Sequence, residues 1–148
     1  MFVDALGVVC DAQAFTAAAV SASSVNLGAS VPKRSMGDGE GLGFGFSVDV
    51  AASSTTVKLE IIMATDDVLT AGIIVLAEQT RLSADLPLGR RLFMALPKGE
   101  PAAGWLQYLG VRVTPAGGAA TVTLTAWLTA EKLFSVIPKP YAKGYTIS

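Results

Sequence analysis

The 148-residue sequence contains no histidine and a single cysteine, Cys10. The first absence removes the usual serine and cysteine triads, the imidazole-ligated metals of cupin-type barrels and the commonest general base. The second excludes an internal disulfide framework and a cysteine-rich zinc site, and Cys10 itself reads as a small buried apolar residue. Charge is also scarce. Asp, Glu, Lys and Arg make up 16% of the chain against 51% hydrophobic residues, where an ordinary soluble domain carries roughly 25% charged residues. So little polar surface predicts that some apolar surface meets a partner. The formal net charge is -1 and the eleven Lys and Arg are scattered, so no basic stripe exists for nucleic acid or an anionic membrane. The opening MFVDALGVVCDAQAF has no basic region and carries Asp4 and Asp11, which makes a poor secretory signal. The uncharged stretch 12–32 is too rich in Ser, Thr, Asn and Gly to span a bilayer. The expectation is a soluble protein kept in a reducing compartment.

What is present is a period of two. Phe44, Phe46, Val48 and Val50 alternate with Gly45, Ser47 and Asp49, and Val57, Leu59, Ile61 and Met63 alternate with Lys58, Glu60 and Ile62. With AASST between them, residues 43–64 read as a hairpin with one buried face. The apolar run 73–77 reads as a buried strand, RRLFMALP puts Leu92, Met94 and Leu96 on one face, and Trp105, Leu109, Val111 and Val113 oppose Tyr108 and Arg112. In ATVTLTAWLT, Val122, Leu124, Ala126 and Leu128 face one way and Thr121, Thr123, Thr125 and Trp127 the other. PAGG (115–118) reads as the hairpin turn joining the last two strands. Only DAQAFTAAAV (11–20) has helical composition. The pattern predicts one all-β domain over residues 1–148, an antiparallel β-sandwich or barrel. Its core spans 43–129, flanked by an N-terminal arm with a short helical segment (1–30) and a C-terminal arm (135–148).

The stretch GDGEGLGFGF (37–46) places glycine at every second position. It is no dinucleotide fingerprint, because the third glycine is out of register and a strand follows; no GK[ST] closes a P-loop; Asp38 and Glu40 are too few for a calcium loop. Two readings stay open. One is an ordinary loop leading into a strand. The other is close approach of a backbone or an aromatic ring to Gly43 and Gly45. The close carboxylate pairs Asp38/Glu40 and Asp66/Asp67 read as solvated turn residues, so no catalytic residue, metal site or cofactor is predicted. The candidate contact residues are Gly43 and Gly45, the outward Thr123 and Trp127, and the arm residues Phe2, Tyr141, Tyr145 and Ile147, whose apolar side chains lie away from the strand pattern.

The segments DALGVVCDAQAFT, SVNLG, GEGLGFGFSVDV, ALPKG, YLGVRV, TVTLTAWLTAE and PYAKGYTIS resemble the capsid cement proteins of Bordetella-phage-like tailed phages. The resemblance runs from about residue 4 to the C-terminus, and none of these segments is a catalytic signature. It implies a jelly-roll sandwich with extended arms on the outside of an HK97-like shell, made in the host bacterial cytoplasm. Its implied partners are the major capsid protein and a second copy of itself, as a homodimer at twofold axes or a trimer near threefold ones, with no nucleic acid and no membrane. It supplies no catalytic residues. A carbohydrate-binding β-sandwich is the alternative, with Tyr108 and Trp127 as the aromatic candidates.

Overall fold

The computed structural model describes residues 7–27, 42–97, 104, 106–118 and 121–130. The described residues form nine strands: β1 (Val8–Phe15), β2 (Ala19–Val20), β3 (Val25–Asn26), β4 (Leu42–Val50), β5 (Ser54–Ala64), β6 (Ile74–Leu82), β7 (Arg91–Ala95), β8 (Tyr108–Gly118) and β9 (Val122–Ala130). One sheet has the order β1-β9-β4-β7 and the other β2-β8-β5-β6, with β3 also on β8. Every pairing is antiparallel. β2 and β3 act as one interrupted strand, because Ser21 N donates to Val111 O and Leu27 N donates to Gln107 O on either side of the break. The pairs β1·β9, β2/β3·β8, β4·β7 and β5·β6 therefore nest like one long antiparallel ribbon, and rolling it up adds β4·β9 and β5·β8. That order is a jelly roll.

Two expected hairpins are corrected by this topology. β4 and β5 lie in different sheets, as do β8 and β9, so AASST crosses the sandwich instead of turning within a sheet. PAGG is not the turn either, since β8 continues to Gly118, opposite Ser54. Alternation shows which face of a strand is apolar, not which neighbour it pairs with, and a short turn serves either connection.

Most of the expected inner faces meet as one core. Phe44, Phe46 and Val48 of β4, Val57, Leu59, Ile61 and Met63 of β5, Leu92 and Met94 of β7, Leu109, Val111 and Val113 of β8, and Val122, Leu124 and Ala126 of β9 are all buried in it. Val50, at the end of β4, is instead 58% exposed. The run 73–77, expected as a buried strand, has no buried residue because β6 lies at the end of its sheet. The expected helical segment is a strand instead. Residues 8–15 pair with β9 from Val8↔Trp127 to Phe15↔Val122, and Val9, Cys10 and Phe15 are buried. Alanine-rich composition is a weak local preference that strand pairing and burial override. The sandwich thus includes β1 from residue 8, and Leu27 belongs to its core, so 8–27 is not an arm. Phe2 and the segment 135–148 lie outside the described residues.

The outer face of the second sheet carries a small core of its own. Ile62, Ala64 and Leu69 are fully buried, with Val20, Ile73 and Tyr108 against them. The β5–β6 connection folds back over the sheet, and Leu69, held at φ 57, seats against Gly110, where a Cβ would meet Leu69 Cδ1 and come 2.9 Å from Ser21 Oγ. Asp66 pins this loop. Its Oδ1 accepts from Thr70 N at 2.8 Å and Ala71 N at 2.9 Å, and its Oδ2 accepts from the Thr70 hydroxyl. Those bonds, the Thr70 hydroxyl first, hold its carboxyl below the ordinary aspartate range.

Candidate interaction surface

The outer face of the β1-β9-β4-β7 sheet brings together four of the contact residues read from the sequence. Directly opposed residues of an antiparallel pair share a face, so the ladder sets Val8, Trp127, Gly45 and Phe93 in one row and Thr129, Gly43 and Ala95 in the next. Gly45, which has no side chain, is the β4 residue directly opposite Trp127. Gly43 answers a tighter demand: a Cβ there would strike the Met94 carbonyl oxygen and lie 2.8 Å from Ala95 Cα. Close backbone approach is thus the reason for glycine at 43.

This face is not open to solvent. Trp127 is 1% exposed and Thr125 0%; Ser47, Thr129, Gly43 and Gly45 are buried as well, Thr123 is half-buried, and Thr121 at the strand's start is exposed. That corrects the expected outward row at Trp127. The sheet is covered on both sides within the single chain, so facing away from the main core does not mean facing water. Threonine misleads because its hydroxyl can be satisfied locally. Thr125 Oγ1 accepts from Ala12 N at 3.0 Å and donates to Asp49 Oδ2, binding β1, β9 and β4 together. Asp49 and Ala12 went unnoticed in the sequence. The signal for Asp49 was a lone carboxylate in the strand SVDV; Ala12, at φ 48 in an irregular stretch of β1, offered none.

Because the obstacle at Gly43 is backbone, which cannot turn aside, Gly43→Ala is expected to destabilise the fold by about 1 to 3 kcal/mol. At Gly110 the obstacles are side-chain atoms of Leu69 and Ser21, which can rotate, so Gly110→Ala should cost less. Urea unfolding of the two variants side by side checks the order.

On the second sheet's outer face, Val20, Arg112, Glu60 and Glu78 form a cross-strand row. Arg112 clasps Glu60 through both guanidinium arms, Nε to Oε1 at 3.0 Å and Nη2 to Oε2 at 2.8 Å. The Arg112 hydrogen bond outweighs burial and holds the Glu60 carboxyl below the ordinary range. Lys58 Nζ meets Glu78 at 3.2 Å. Reactive chemistry is thin. Burial pushes the Cys10 thiol up to about 12, which leaves it protonated and inert at neutral pH. Among the described residues no three of His, Cys, Asp and Glu gather to hold a metal ion, and no helix is long and apolar enough to cross a membrane. Of the other predicted contact residues, Phe2, Tyr141, Tyr145 and Ile147 lie outside the described residues.

A family model described as Bbp16 matches residues 9–128. Among curated proteins, none matches the chain.

Proposed function

Because the chain belongs to the Bbp16 family, we propose that it is a structural protein of a phage particle, bound to the outside of an HK97-like capsid and cementing neighbouring capsomers. The family match, over most of the jelly roll, supports this reading, since the family's name suggests a Bordetella phage protein. The physical character of the chain supports it. Charge is scarce, Cys10 is held protonated, and the polar groups described above are spent on tying strands together, which suits a protein that works by burying surface. Its partners are the major capsid protein and further copies of itself. A contact that is weak singly becomes effective on a repeating lattice, where a second engagement is intramolecular. The carbohydrate-binding alternative loses one of its two aromatic candidates, since Trp127 is buried within the chain and cannot stack on a sugar.

Mass spectrometry of purified virions tests the reading. The chain should be present in a copy number set by the capsid lattice, and shells stripped of it should rupture at lower temperature and regain stability when it is added back. Particles that lack the chain, or that have the same stability without it, overturn the proposal.

A further inference from the structure

The outward row of β9 grows more covered towards the end of the strand. Thr121 is exposed and Thr123 half-buried, while Thr125, Trp127 and Thr129 are buried. Across the sheet the cover is deepest on β9 and β4, where Gly43, Gly45 and Ser47 are also buried. It thins at β7, where Phe93 is half-buried and Ala95 exposed. No described strand supplies this cover, because all nine lie in the two sheets and the second sheet packs on the opposite side, across the core. The described connections lie elsewhere. Residues 16–18, 51–53 and 83–90 join this sheet at its other end, beside Phe15, Val50 and Arg91. Residues 21–24 and 65–73 pack on the second sheet. A buried indole needs side chains over it, so the cover comes from chain that enters at the covered end.

Four stretches enter there: 1–6 before β1, 28–41 before β4, 98–103 after β7 and 131–148 after β9. Of these, 28–41 has only Val31 and Met36 as large apolar residues and 98–103 has none. Residues 1–6 are apolar but few, and they enter at β1, on the sheet's edge. Residues 131–148 follow β9, the most deeply covered strand, and carry Leu133, Phe134, Ile137, Tyr141, Tyr145 and Ile147. We propose that residues 131–148 dock as a strap on the outer face of their own β1-β9-β4-β7 sheet, over the row of Trp127, Gly45 and Phe93. The chemistry of the two surfaces matches. Extended proline-rich segments bind aromatic-lined surfaces, and a strand glycine lets another backbone lie close. Pro138 and Pro140 favour an extended chain and remove two N–H donors that would otherwise need partners over an apolar row. Length is sufficient as well. Residues 131–148 reach roughly 60 Å when extended, and four strands about 4.8 Å apart make a sheet roughly 14 Å wide. The chain therefore turns back past Thr129 and still crosses the face. Tyr141, Tyr145 and Ile147 are then contacts within the chain and not anchors on a neighbour. The strap is independent of the cement reading, and its test needs no capsid.

The other tryptophan, Trp105, lies outside the described residues, and Trp105→Phe leaves Trp127 as the single indole of the full chain. Nuclear Overhauser contacts from that indole should reach side chains of 131–148. Its emission should be blue-shifted and weakly quenched by acrylamide, and dilution should change neither. Deleting 131–148 should shift the emission to the red and raise the quenching constant severalfold, with the circular dichroism spectrum unchanged. A synthetic 131–148 peptide added to the shortened chain should reverse both changes. If the shortened chain fails to fold, the Overhauser contacts of the full chain decide alone. Indole contacts only with residues outside 131–148 overturn the proposal, as does a folded, shortened chain whose Trp127 stays shielded. Exposure of Trp127 on deleting residues 2–6 but not 131–148 makes the N-terminal stretch the cover and overturns it too. So does shielding that is lost on dilution, which makes a second copy the occupant.

Discussion

Trp127→Ala should lower the stability of the isolated chain by about 3 to 5 kcal/mol, the usual cost of deleting a buried indole. Three observations require a loss on that scale. The side chain is 1% exposed in the single chain, so its transfer from water is already complete in the monomer. It sits on a central strand, between β1 and β4, where Val8 and Gly45 flank it in the ladder. Gly45 has no side chain to swing into the vacancy, and a site that cannot collapse suffers most from truncation. Thr121→Ala, at the exposed start of the same row, should change stability by less than about 0.5 kcal/mol. Denaturant unfolding of both variants is the check. A Trp127→Ala chain that melts like wild type but fails to bind shells would return this residue to the interface.

The contrast along β9 also shows how far the sequence could be read. Val122, Leu124 and Ala126 were legible as core because a period of two is a direct imprint of the pleat, and the same imprint placed Leu59, Ile61 and Met63 of β5 and Phe44 and Phe46 of β4. It could not place Trp127. Alternation distinguishes two faces only when one of them is wet, and here both are covered. β1 was illegible for another reason. DAQAFTAAAV is rich in alanine, and its strand state is imposed by β9, more than a hundred residues away. Leu69 was equally hidden. It lies outside the apolar run 73–77 that reads as a strand, so nothing local marks it as core, yet it is fully buried in a loop pinned by Asp66. Gly43 is the intermediate case. Close approach could be read as one of two options, but the approaching group, the backbone of β7, is supplied by topology.

β1 and Gly43 share one cause. A jelly roll makes most of its consecutive strands partners of distant ones, so local signals report faces well and neighbours badly. The second sheet shows what this costs a reader interested in chemistry. Glu60 and Arg112 are 52 residues apart, each set among apolar residues that explain its strand but not its partner.

That pair carries the other large effect. Arg112→Leu should cost about 3 kcal/mol at neutral pH, because it strands a carboxylate that is 3% exposed and loses both of its charge-assisted bonds. The low end of the range for broken buried pairs applies, since Arg112 is itself 30% exposed and water can follow where the guanidinium was. The pH dependence has a definite sign. In the wild type the Glu60 carboxyl is held below its ordinary value by Arg112. Its contribution is therefore present above the unfolded carboxylate value, about 4.3, and is lost as pH falls through the lower folded value. In Arg112→Leu, burial works without its main opponent and the Glu60 carboxyl moves up. The variant then takes up its proton on folding and gains stability relative to wild type as pH is lowered. The gap between the two should be widest near pH 7 and narrow towards about pH 4. Replacing both partners, Glu60→Leu with Arg112→Leu, should recover much of the loss, since a buried ion pair contributes little net stability over well-packed apolar groups. Urea midpoints of the three proteins across that pH range decide the matter. A gap that is flat with pH, or a double variant no more stable than Arg112→Leu, would mean that the clasp does not neutralise a buried charge.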